Sequence, residues 1–227
     1  MPSQQQIATD CGPIECVIFD CDGTLVDSEI LTQQALVNVF AKYDIELSLE
    51  DCMNRFQGGK ITDILRKTCA LAGVSIRIDE LEPQFRDECT RLFDKHLDPI
   101  PGVPQLLDKL KKAGIEVCVA SNGPTTKMEH TLKLTGLYDH FHGKLFSAFD
   151  TNTWKPAPDL LLFSAMNMAV PVRNCLFIDD TVLGVESGIN AQMNTIYFRT
   201  MPGKAEVHHP LVTTCSSMEE VEAAIFP

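Results

Sequence analysis

The sequence has no apolar run of about 18 residues or more, so no stretch of it reads as a membrane-spanning helix. Positive charge is also scarce. Against 31 Asp and Glu there are only 19 Lys and Arg, a formal net charge of −12. That balance argues against nucleic acid or an anionic membrane surface as a partner, since both need a basic face. The nine cysteines form no C-x-x-C pair, which removes the paired-cysteine redox and zinc motifs. None of them begins the C-x₅-R pattern of cysteine phosphatases. The histidines, including His208-His209, lack zinc-ligand spacing. Gly58-Gly59-Lys60 hints at a P-loop, but Asn54 and Ile61 stand where that motif needs a glycine and a hydroxyl. No signal peptide, internal repeat or low-complexity tract is recognised, and a soluble, cytoplasmic protein is expected.

What is present is a chain of 227 residues, 44% of them apolar, with mean hydropathy near zero, enough to bury a large core. Cys16, Cys118 and Cys175 fall inside apolar runs and read as small buried hydrophobes, a usage suited to a reducing compartment. After a polar leader to about Gly12, Cys16 to Phe19 reads as a strand buried on both faces. From Ser28 to about Asp98 the period is helical: Leu31, Ala35, Leu36, Val39 and Phe40 form one stripe, and Ile61, Ile64, Leu65, Thr68 and Leu71 a second. A third helix is expected over 78–96, carrying Leu81, Phe85, Cys89 and Leu92, with Pro83 in its first turn. Beyond the punctuation at Asp98-Pro99-Ile100-Pro101-Gly102, helices and strands alternate. Strands are expected near 115–120, 144–147, 175–178 and 195–198, with a last short strand and a helix near the C-terminus. That alternation predicts an α/β fold, a parallel sheet covered on both faces, interrupted by a helical insertion.

Three of these strands end in polar clusters, Asp20-Cys21-Asp22, Ser121-Asn122-Gly123 and Asp179-Asp180. Parallel strands point their carboxyl ends to one edge, so the clusters converge there. Gly23 allows a sharp turn, Thr24 adds a hydroxyl, and Lys155, in a proline-bounded loop, is the fixed cation expected to reach the acids. One carboxylate from each acidic cluster makes an oxygen-rich site suited to Mg²⁺. With that charge and Lys155 offsetting the acids, a phosphate dianion can approach, its oxygens held by Ser121 and the backbone N–H groups after it. Lys127 and Lys133, on a helix, read as solvated; Asp27 and Glu29 read as a loop acid and a helix N-terminal acid.

Phe19-Asp20-Cys21-Asp22-Gly23-Thr24, Ser121, Lys155-Pro156 and Asp179-Asp180 resemble, in order, the four motifs of haloacid-dehalogenase-superfamily phosphatases. The resemblance implies a Rossmann-like parallel-sheet core over 1–27 and 99–227 with a helical cap over 28–98. It implies that Asp20 attacks phosphorus, that Asp22 serves as acid and then base, and that Lys155 and Mg²⁺ stabilise the transferring group. The implied metal ligands are Asp20, the Asp22 carbonyl, and Asp179 or Asp180, with the choice between the last two open. Thr24, Ser121 and Asn122 are the implied phosphate-binding residues, and Arg55, Gly58 and Lys60 the substrate contacts on a cap loop. Within the superfamily the chain resembles the β-phosphoglucomutase branch, and within that branch the bacterial 6-phosphogluconate phosphatases. Thr32, Gln57 and Ile61 depart from the mutase pattern, which puts hexose-phosphate phosphomutation behind hydrolysis. A phospho-acceptor signalling module is a further alternative, disfavoured by Asp22 and the cap. The expected partner is a small phosphomonoester, and the expected state a monomer or weak homodimer.

Overall fold

The computed structural model describes residues 12–55, 60–200 and 204–226. The chain divides into two compact units, Met1–Val26 with Pro99–Pro227, and Asp27–Asp98.

The first unit is built on six parallel strands: β1 (Cys16–Phe19), β2 (Glu116–Ser121), β3 (Leu145–Ser147), β4 (Cys175–Asp179), β5 (Asn194–Phe198) and β6 (Val212–Cys215), in the order β3-β2-β1-β4-β5-β6. β1 is central and fully buried, as its continuous apolar run requires. Its alternate residues serve opposite faces. Cys16 and Ile18 join Cys118, Ala120, Cys175 and Phe177 in a cluster with Leu160, Leu161 and Ala165 of α9 (Asp159–Asn167). Phe19 points to the other face, edge-on to Phe141 of a short helix, α7 (Tyr138–Phe141), with ring centroids 6.1 Å apart. Helices therefore cover both sides of the sheet. Cys16, Cys118 and Cys175 are all buried, as their apolar surroundings predict.

Register fixes what meets at the carboxyl edge. Phe19 lies opposite Val119 of β2 and Ile178 of β4. Asp20, one residue on, donates its backbone N–H to Ile178 O at 2.8 Å, and so comes level with Asp179.

The described regular elements of the second unit are all helices: α1 (Glu29–Ala41), α2 (Leu49–Arg55), α3 (Ile61–Ala72) and α4 (Ile78–His96). Ala35, Leu36, Val39 and Phe40 of α1 and Leu81, Phe85, Cys89 and Leu92 of α4 are buried, matching their stripes. Two expectations shift. Leu71 is 60% exposed although its period put it on the buried stripe of α3, where Leu65, Thr68 and Cys69 do the packing. Pro83 is the sixth residue of α4, beyond the first turn; it lies on the exposed side, where water can satisfy the carbonyl it leaves unpaired.

Glu88 of α4 ties this unit together. Its buried carboxylate accepts from Asn38 Nδ2 of α1 at 2.6 Å and from Arg91 Nε and Nη2 at 2.8 and 2.6 Å. The Arg91 hydrogen bonds, helped by Asn38, lower its pKa from 4.5 to about 2 against the opposing effect of burial. A depressed carboxyl stabilises the fold above its unfolded pKa and loses that contribution as pH falls through its folded one. Glu88→Gln should therefore cost about 1–2 kcal/mol of unfolding free energy near neutral pH. The two proteins should converge as the pH drops from about 4.5 toward 2. Urea titrations at several pH values, followed by circular dichroism, check both halves.

Candidate active site

Asp20, Asp179 and Asp180 each bring a carboxylate oxygen within 4.8 Å of the others, and all three side chains are buried. The ammonium of Lys155 lies between two of them, 2.6 Å from Asp20 Oδ1 and 2.7 Å from Asp179 Oδ2. Lys155 is itself held in place by Asn122, whose Oδ1 accepts the Lys155 backbone N–H at 3.0 Å. Burial pushes the Asp20 carboxyl up to about 8; Lys155 opposes this, while Asp179, Asp180 and Asp22 add to it. Burial alone would lower the Lys155 ammonium, but Asp179 and Asp20 outweigh it and hold it above the usual lysine range. The cluster carries more negative charge than this lysine can offset, and its donors are all oxygen. Those two properties fit a hard divalent cation such as Mg²⁺.

The loops around the cluster show why the local sequence is as it is. Asp179 Oδ1 accepts from the backbone N–H and the hydroxyl of Thr181, at 2.8 and 2.7 Å. Thr181 in turn caps α10 (Val182–Asn190), accepting from Gly184 N at 3.0 Å. A Cβ on Gly184 would fall 1.9 Å from the Asp179 carboxyl. Gly23 has φ +78° and lies so close to Asp180 that a Cβ would come within 2.6 Å of Oδ2. Both glycines are there so that backbone and carboxylate can approach. Gly184→Ala should displace Asp179 from Lys155 and lower kcat about 100-fold. Kinetics paired with a circular-dichroism melt separate that loss from unfolding.

The other expected site residues are divided between the two units. Ser121 ends β2, and its hydroxyl accepts from Gly123 N at 3.1 Å. Thr24 is fully buried and donates to Asp180 Oδ1 at 3.2 Å. Asp22 is not one of the three clustered carboxylates; both of its oxygens meet Lys127 Nζ, at 2.8 and 2.7 Å. That corrects the reading of Lys127 as solvated: α6 (Thr125–Leu134) starts just after Ser121 and turns this lysine toward the β1 loop. Arg55, the last residue of α2, and Lys60, preceding α3, are exposed in the helical unit. Gly58 lies outside the described residues. Sequence reasoning missed Lys204, a buried lysine in the segment between β5 and β6, 2.8 Å from Asp180 Oδ2. It stands alone in a stretch without period or motif, so no local signal marks it. Thr181 and Gly184 do carry one: an acid pair followed by a capping threonine and a glycine three residues on.

A family model for haloacid dehalogenase-like hydrolases matches residues 14–192. The chain belongs to this family. Over 208 residues it is 40% identical to the 6-phosphogluconate phosphatase of Escherichia coli (strain K12), an alignment spanning 92% of this chain and 93% of that protein. It is similar in structure to a conserved haloacid dehalogenase-like protein from Agrobacterium tumefaciens str. C58, at 26% identity and a TM-score of 0.79 over 94% of this chain and 98% of that one. A putative β-phosphoglucomutase from Thermotoga maritima shares the fold, with a TM-score of 0.76 at 22% identity over 93% and 98% of the two chains. Within the family the chain is a phosphatase. No described helix is long and apolar enough to cross a membrane.

Proposed function

We propose that this phosphatase hydrolyses small phosphorylated sugars and sugar acids, 6-phosphogluconate best among them, through an aspartyl phosphate on Asp20. One observation carries the chemistry: a buried ammonium 2.6 Å from Asp20 and 2.7 Å from Asp179. A nucleophilic carboxylate there has a fixed cation beside it to stabilise charge on the oxygens of the transferring phosphoryl group. The substrate assignment is supported by the 40% identity to a phosphatase acting on that sugar acid.

Mg²⁺, held by Asp20, the Asp22 carbonyl and Asp179 or Asp180, supplies when bound the positive charge that lets a phosphate dianion approach the acids. A carboxylate oxygen of Asp20 forms a bond to phosphorus as the bond from phosphorus to the sugar oxygen breaks. Asp22 gives its proton to that departing oxygen. It then takes a proton from water, whose oxygen attacks phosphorus, releasing inorganic phosphate and restoring the Asp20 carboxylate. Ser121 and the backbone N–H groups after it orient the phosphoryl oxygens, and Asn122 holds the Lys155 loop. We assign the helical unit the role of a cap, with Arg55, Gly58 and Lys60 as its substrate contacts and Arg55 or Lys60 pairing with the sugar-acid carboxylate.

Phosphate release from a panel of sugar phosphates and phosphosugar acids, with Mg²⁺ and with chelator, tests the proposal. 6-Phosphogluconate should give the highest kcat/KM, and chelator should remove activity until Mg²⁺ is restored. Higher kcat/KM for simple hexose phosphates would leave the reaction standing and overturn the substrate. Undiminished activity in chelator would overturn the metal.

A further inference from the structure

The second buried lysine beside the cluster is not part of the motif set. Lys204 lies past the stretch matched by the family model, in the segment joining β5 to β6. Its ammonium bonds the same residue twice, Asp180 Oδ2 at 2.8 Å and Asp180 O at 3.0 Å, with the lysine and aspartate side chains 2% and 4% exposed. Its backbone is anchored in turn, its carbonyl accepting from Arg199 Nε and Nη2 at 3.0 and 2.6 Å. On its other side the Asp180 carboxylate meets the Thr24 hydroxyl and the bare backbone of Gly23. A buried ion pair is weak evidence for stability, because desolvating both charges costs about as much as their attraction returns. Its effect here is geometric. Three carboxylates within 4.8 Å repel one another, and Asp180 is the one that Lys155 does not bond. Held at Oδ2 and at its own carbonyl, Asp180 cannot swing away from the other two.

We propose that Lys204 is a positioning residue that fixes Asp180 in the orientation in which the acid cluster takes up a divalent cation, and so couples the β5–β6 segment to that site. The inference rests on the cluster being a metal site. Supporting groups just outside a metal's ligands typically contribute 10–100-fold in affinity. Lys204→Met should therefore weaken Mg²⁺ binding about tenfold, while Lys204→Arg, which keeps the charge, should stay within about threefold.

Isothermal titration calorimetry with MgCl₂ alone, on the full chain, reads this without using activity. Coupling is reciprocal, so the native protein offers a second measurement. Saturating Mg²⁺ should slow hydrogen exchange at the backbone amides of residues 205–209 and 211 by up to about tenfold. Should Lys204→Met fail to fold, the exchange measurement decides alone. Mg²⁺ binding unchanged in Lys204→Met overturns the proposal. So does tighter binding, the result if the ammonium acted only as a competing charge, and so does exchange at 205–209 and 211 indifferent to Mg²⁺. If the native protein binds Mg²⁺ and releases phosphate while these tests fail, only the role of Lys204 falls. If it binds no Mg²⁺, the metal-site reading falls as well.

Discussion

Asp20→Asn should lower kcat for phosphate release by at least about 10⁴-fold, because an amide at the proposed nucleophile cannot form the covalent intermediate. The amide keeps the shape of the side chain and can still accept from Lys155, so the loss isolates nucleophilicity from packing. Two measurements bracket the claim. Rapid quench with labelled substrate should trap phosphoryl enzyme in the native protein and none in the variant. A thermal melt without metal should show the variant at least as stable as the native protein. It removes one of three buried carboxylates lying within 4.8 Å of each other, a repulsion that the fold retains for function. Activity near the native level in Asp20→Asn would remove the aspartyl phosphate from the mechanism.

Lys155→Met carries the second large effect, on two scales. Loss of a fixed cation aimed at developing charge should lower kcat about 10²–10³-fold. The fold should suffer as well: Asp20 and Asp179 lose an ammonium 2.6 and 2.7 Å away, in a pocket where the lysine side chain is 3% exposed. Breaking a buried pair from one side typically costs about 3–5 kcal/mol. A cation that binds the folded state stabilises it by mass action. The rise in melting temperature on adding Mg²⁺ should accordingly be larger in Lys155→Met than in the native protein. Equal rises, or a metal-free melt at the native temperature, would mean that the lysine is not the principal counter-charge of these acids.

Wherever the information is local, the chain could be read in advance. The apolar run of β1, the acids that follow it, the paired acids at the end of β4 and the polar end of β2 each lie within a few consecutive residues. Helical stripes on α1 and α4 matched because a period of about 3.6 residues sorts buried from exposed positions without knowledge of the partner. What failed depended on partners. Leu71 follows the period of α3 yet is exposed, since a period marks a face but not which of its positions a neighbour covers. The four-residue helices α7 and α8 (Ala148–Thr151) are too short to show a period at all. Thr24 reads only as a hydroxyl near the acids, and the fold alone gives it Asp180, 156 residues away, as a partner. Lys127 looked solvated because a lysine on an amphipathic helix usually is, and its pairing with Asp22, 105 residues earlier, leaves no trace in either segment.

By itself, the sequence determined the alternation that makes a parallel sheet, the insertion after the first strand, and the four motifs with their order. Those follow from hydrophobic period, turn chemistry and the residue types a phosphoryl transfer requires. Tertiary structure alone decided which lysine serves which acid. Lys155 bridges Asp20 and Asp179, Lys204 takes Asp180, and Lys127 takes Asp22. The strand order β2-β1-β4-β5 brings these charges to one edge from positions far apart in the chain, and inside a fold a charge's partner is set by distance and burial.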